Sequence, residues 1–268
     1  MTMIAPEIER EIQCRLTTVE APGDVRILLA VESGSRAWGF PSRDSDYDVR
    51  FIYVRTPDWY LSVDLETRRD VIEQPITDDI DLSGWDIRKA LRLFAKSNPP
   101  LLEWLSSPIV YRNDPHFVSA IGKLVPQFYS PVASMHHYLH MARSNQREYL
   151  RGDVVWLKKY FYVLRPLLAV RWLEQGREPV PMLFSDLLQT IDQDPNLQSE
   201  IERLRQRKIA GEELDRGPAI PAISSFVELE LARLDETLIP ERAPEPSLDE
   251  LHVFFRSTLS RVWPGMAS

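Results

Sequence analysis

The sequence predicts an α+β protein with a helical C-terminal half, and three observations carry that reading. Strand-like runs at 26–32, 47–54, 70–82 and 108–111 alternate with helical ones at 7–17, 86–96 and 99–105. Beyond about residue 112 the pattern is almost wholly helical, at 114–125, 131–150, 153–175, 181–192, 197–210, 222–238 and 247–261, with Pro and Gly mostly at the joints. At 268 residues the chain exceeds one average domain and suits two, expected at 1–112 and 113–268. A loop is expected at 211–221 and a Pro-rich connector at 239–246.

Composition narrows the function classes. A formal net charge of −8 argues against broad, nonspecific nucleic-acid binding, which calls for a basic field, though a locally basic cleft is compatible with it. One cysteine, Cys14, excludes an internal disulfide framework and a thiolate zinc cluster, which fits a reducing cytoplasm. The first ten residues lack a cationic segment followed by an apolar core, and no apolar run reaches the length of a membrane span. A cytosolic enzyme without membrane partners is expected.

The most informative stretch runs from Gly34 to Val49. Upstream, 25–32 is apolar and β-branched, as a buried strand requires. Gly34-Ser35 then opens a short helical turn whose N–H groups and hydroxyl favour an anion such as a phosphate. Downstream, Asp46-Tyr47-Asp48-Val49 begins an alternating strand, so Asp46 and Asp48 project from one face, about 6–7 Å apart. Paired carboxylates at that spacing suit magnesium, which prefers hard oxygen ligands completed by substrate phosphates. Two such ions about 4 Å apart clamp both oxygens of an in-line phosphoryl displacement. Asp81, between Ile80 and Leu82, reads as a third acid on a buried strand. Asp86 reads as the N-cap of the following helix, Asp78 and Asp79 as solvated turn residues, and Asp44 as a loop support.

Gly34-Ser35, eight intervening residues, Asp44-Ser45-Asp46-Tyr47-Asp48 and the later Asp81 together resemble the active-site signature of the DNA polymerase β-type nucleotidyltransferase superfamily. Within it the chain is similar to the RlaP/YcgL-type nucleotidyltransferases, some of them associated with RNA repair, through 84–93, 96–111 and 158–169; the resemblance covers about residues 25–190. It implies a mixed-sheet palm flanked by helices, a nucleoside triphosphate donor and magnesium or manganese as cofactor. It leaves the acceptor open among RNA ends, proteins and small molecules. On this reading Asp46, Asp48 and Asp81 are the catalytic metal ligands, Asp81 serving the ion near the acceptor and also able to act as base. Gly34 and Ser35 hold the departing phosphates. A nucleotide-sensing module without chemistry is a third reading, disfavoured because all three acids are present.

Other residues carry weaker signals. Arg36 reads equally as a phosphate contact or a solvated helix residue. Trp38 and Phe40 are expected to pack under the loop, with nucleobase stacking as the alternative. On the helix expected over 153–175, Lys158 with Tyr162 and Phe161 with Arg165 share faces, so Lys158, Lys159 and Tyr162 are candidate nucleotide contacts. Trp156 and Tyr160 read as a core stripe. His136 and His140 lie four apart, but Tyr138 and Leu139 stand where a zincin glutamate would, so helix packing is expected. Lys89, Asn98, Glu103 and Trp104 match the family pattern, with Asn98-Pro99 a turn between helices that Glu103 orders.

Overall fold

The computed structural model describes residues 4–212, 214–237, 239–241 and 246–265. Part of the Pro-rich connector expected at 239–246, residues 242–245, lies outside the described residues, as do the first three residues of the N-terminal stretch. In chain order the elements begin with α1 (Pro6–Glu20), β1 (Val25–Glu32), the single turn α2 (Gly34–Ala37), β2 (Tyr47–Arg55) and α3 (Pro57–Tyr60). There follow β3 (Val71–Glu73), β4 (Ile80–Asp86), α4 (Ile87–Ala95), α5 (Pro99–Leu105), β5 (Val110–Asn113), α6 (Pro115–Phe128) and α7 (Pro131–Tyr149). The rest is β6 (Val154–Trp156), α8 (Tyr160–Glu174), α9 (Phe184–Leu187), α10 (Pro195–Ile209), β7 (Arg216–Pro218), α11 (Pro221–Glu236) and α12 (Asp249–Val262). The fold is α+β, as expected. Among the described residues no helix is long and apolar enough to cross a membrane.

The chain divides into two compact units, Met1–Ala37 with Asp46–Tyr129 and Pro244–Ser268, and Trp38–Ser45 with Ser130–Ala243. This differs from a single boundary at 112, for a physical reason. Phe117, Ile121 and Phe128 of α6 and Leu251 and Phe254 of α12 enter the same core as Leu29 and Ile52 of the sheet, so both helices belong to the first unit.

In the first unit five strands form a mixed sheet in the order β3-β4-β2-β1-β5, where β2 and β4 run parallel and the other pairs antiparallel. Alternation along β2 sends Ile52 and Val54 to a core under α4, α5, α6 and α12, and Val49, Phe51 and Tyr53 to a second core under α1. A register irregularity between Ile27 and Leu29 lets Ile27 face one core and Leu28 and Leu29 the other. Gly84 opposes Phe51 across β4 and β2, and a Cβ there would lie 2.1 Å from the Phe51 ring, so only glycine allows this pairing. The strand expected over 70–82 is two strands. A turn at 74–79, with left-handed Asp78 and Asp79, folds β3 back on β4, and β4 runs on to Asp86, whose carboxylate caps α4 by accepting the Arg88 N–H. Asp78 and Asp79 are exposed, as a solvated turn requires.

The second unit is mostly helical, built on the nearly encased α8, which packs on α7 and α11. Its start corrects the helix expected from 153. Val154-Val155-Trp156 pairs with β7 as a two-stranded ribbon, the Leu157 and Lys158 N–H groups continue onto the Asp215 and Leu214 carbonyls, and α8 begins only at Tyr160. Two β-branched residues and an aromatic favour that ribbon over a helical turn. The helix expected over 181–192 is likewise reduced to α9 and a following 3-10 turn, Leu188–Ile191. Trp156, expected in a core stripe, is 42% exposed, whereas Tyr160 is buried with its hydroxyl against Ser224.

Candidate active site

The site is built from the N-terminal ends of β2 and β4 and the turn that follows β1. Because β2 and β4 are parallel, Asp48 and Asp81 stand in direct register, side by side on the sheet face opposite Val49 and Leu82. Arg50 lies two residues on, on the same face, opposite the small Ser83. It folds back between the acids: Nη2 donates to Asp48 Oδ1 at 2.9 Å and Asp81 Oδ2 at 2.6 Å, and Nη1 to the Asp81 carbonyl at 2.8 Å. The pair is half-buried, each side chain 29% exposed and Arg50 19%.

Gly34 fits the turn for two reasons. Its φ is +56°, and a Cβ there would fall 2.0 Å from Asp48 Oδ2, so the backbone of the turn touches the carboxylate directly. The Ser33 N–H donates to the Asp48 carbonyl at 2.9 Å and ties the turn to β2. Arg36 is neither solvated nor outward. Its side chain is buried, Nε donates to the Asp46 carbonyl at 3.2 Å, and its guanidinium lies 3.7 Å over the Tyr47 ring, bracing the entry to β2.

Glu32 was not singled out by sequence, yet it underlies the site. Fully buried at the end of β1, it accepts the Asp48 N–H at 2.9 Å and the Tyr111 hydroxyl. Burial pushes its carboxyl up to about 7, opposed by those two hydrogen bonds. The signal available was an acid ending an otherwise apolar strand. Arg50 was also missed; its signal was a cation two residues past Asp48, on the same strand face.

The structure brings together Gly34, Asp48 and Asp81, and Ser35 follows Gly34 in α2. Asp46 precedes β2 and is exposed, and among the described residues no three metal-binding side chains converge. The donor set nonetheless suits a hard divalent ion: two carboxylates in register already share one cation, the Arg50 guanidinium. Lys158, Lys159 and Tyr162 belong to the second unit. There Lys159 Nζ lies 4.4 Å over the Tyr149 ring and 4.5 Å over Tyr162, and Lys158 sits in the turn before α8 rather than on one helical face with Tyr162. Trp38 and Phe40 pack, as expected. The Phe40 ring lies tilted 4.8 Å from that of Phe161 and edge-on 5.2 Å from that of Phe184, and the Trp38 ring meets Tyr162 edge-on at 5.6 Å.

The remaining signals resolve structurally. His136 Nε2 lies 3.1 Å from the Pro240 carbonyl, Lys89 pairs with Asp70, Asn98 caps α5, and Trp104 packs on Trp85.

A family model described as RlaP, RNA repair pathway DNA polymerase beta family, matches residues 8–257. The uncharacterized protein YcgL of Bacillus subtilis (strain 168) is 48% identical over 257 residues, 96% of this chain and 98% of that one. A solved nucleotidyltransferase-like protein from Exiguobacterium sibiricum 255-15 is 14% identical, with 96% of this chain and 90% of that one covered and a TM-score of 0.32.

Proposed function

The chain belongs to the RlaP family, the RNA repair pathway DNA polymerase beta family, which gives it a general nucleotidyltransferase role, and from that premise we propose that it moves a nucleoside monophosphate from a nucleoside triphosphate to an acceptor hydroxyl. The acceptor oxygen forms a bond to the α-phosphorus, the bond to the bridging oxygen of the β-phosphate breaks, and pyrophosphate leaves. The hydroxyl proton passes to a carboxylate, for which Asp81 is the candidate base. Magnesium or manganese, held by Asp48 and Asp81 with Asp46 completing the set, would supply charge neutralisation for the attacking and leaving oxygens. Gly34 and Ser35 present the turn to the β- and γ-phosphates.

The observation that carries this reading is the register of Asp48 with Asp81 beneath the backbone of Gly34. Phosphate and carboxylates need a cation between them, and that arrangement provides both sides of such a contact. An RNA end in a repair pathway is the acceptor we favour, since the family is described as an RNA repair pathway family. Lys158, Lys159 and Tyr162 are proposed as nucleotide contacts, and a cytosolic location as the setting.

The test is transfer of label from each α-³²P triphosphate, with magnesium or manganese, to RNA, single-stranded DNA and cell extract, alongside Asp48→Asn and Asp81→Asn. Extended or labelled RNA, lost in both variants, is the expected result. A single labelled protein or small molecule would reassign the acceptor, and triphosphate binding without pyrophosphate release would mean a sensing module.

A further inference from the structure

We infer that Arg50 is a resident counter-ion that competes with the divalent cation for Asp48 and Asp81, so that it holds the acid pair together without metal and lowers the pair's affinity for it. This rests on the proposed function, in which the pair binds metal.

Two carboxylates in register on adjacent parallel strands repel each other and would be pushed apart if nothing lay between them. Arg50 supplies that charge. It gives one N–H group to each carboxylate, and it is further fixed by the Asp81 carbonyl at 2.8 Å and the Val49 carbonyl at 3.2 Å. Ser83, its partner across the β2–β4 ladder, is small enough to let the side chain fold back toward the acids. One positive charge leaves the two acids half neutralised, whereas a divalent ion neutralises them fully. A cation entering here must therefore share both carboxylates with the guanidinium or displace it from at least one.

The other arginines nearby have other work: Arg36 braces Asp46 and Tyr47, and Arg15 pairs with Asp78. Arg50 is thus a positioning residue acting through the two acids. Its two possible roles predict opposite signs. If it only orders the carboxylates, removing it weakens cation binding; if it competes, removing it tightens binding.

The experiment measures manganese affinity of the full chain by calorimetry and paramagnetic resonance, without nucleotide, for wild type, Arg50→Gln, Arg50→Lys and Asp48→Asn. Arg50→Gln is expected to bind manganese about tenfold more tightly, the scale of losing one charge-assisted hydrogen bond. It should also melt at lower temperature than wild type without metal and gain more on adding magnesium. Affinity unchanged or weakened in Arg50→Gln overturns the inference while leaving the metal reading intact. Binding absent in wild type, or equal in Asp48→Asn, overturns the metal reading and the inference with it. Should Arg50→Gln not fold, Arg50→Lys decides: a lysine cannot reach both carboxylates and two carbonyls, so several-fold tighter manganese binding is expected, and an unchanged value overturns the inference.

Discussion

Gly34 and Glu32 both bear on Asp48, and each gives a direct test. Gly34→Ala must place a Cβ where Asp48 Oδ2 lies and hold alanine at φ +56°. Left-handed strain alone costs about 1–3 kcal/mol, and the overlap forces Asp48 to move. Loss of most transfer activity with a lower urea midpoint is expected; a fully active variant would detach the turn from the chemistry. Glu32 gives a pH signature. Its folded value, about 7, lies above the ordinary 4.5, so the folded state holds more protons across that window and stability falls as pH rises through it. Asp86, buried beside Tyr60 and raised by burial to about 6, adds a similar fall from about 4 to 6. Glu32→Gln keeps an acceptor for the Asp48 N–H and should remove the fall between pH 6 and 7. Asp86→Asn should remove the lower part, and stability curves parallel to wild type would refute both. Asp48 and Asp81 were legible in sequence because acids on a strand edge are rare. Glu32 and Arg50 were not, because their meaning depends on a neighbour strand that spacing alone does not supply.

At the scale of elements, local signals read well and non-local ones did not. Asp86 and Asn98 cap α4 and α5 through their own side chains, and both ends were visible from a few adjacent residues. β6 was hidden within a helical pattern because its pairing partner, Arg216–Pro218, lies about 60 residues away. The excursion Trp38–Ser45 is another non-local element. It belongs to the second unit, where buried Lys208 donates to the Phe40 carbonyl at 3.2 Å and reaches the Ser45 hydroxyl at 3.5 Å. Lys208→Met would leave that carbonyl buried without its charged donor, a loss of about 1–3 kcal/mol. Faster amide exchange across Trp38–Ser45 is the expected outcome, and unchanged protection there would show that the aromatic packing of Phe40 suffices.

At the scale of the whole chain, no local signal marks α12 as the helix that closes the N-terminal core. α12 reads as one more amphipathic helix after a Pro-rich stretch, and nothing local distinguishes it from α10 or α11. Its destination is set by complementarity. Leu251 and Phe254 are buried with Phe117, whose ring lies 5.6 Å from that of Phe254, and Arg261 reaches Asp114 at 2.8 Å beside the start of α6. Burying two large apolar side chains contributes about 3–6 kcal/mol, a large share of the roughly 5–15 kcal/mol that holds a domain folded. A chain ending before residue 246 therefore exposes one side of the core that supports β1 and β2, and with it the strands carrying Glu32, Asp48 and Arg50. It should lose cooperative urea unfolding of the sheet and all metal binding, although Asp46, Asp48 and Asp81 are untouched. Restoring the midpoint by adding a peptide of residues 246–265 in trans would confirm that the defect is the missing core face. An unchanged midpoint in the shortened chain would instead place α12 outside the folding unit of the site.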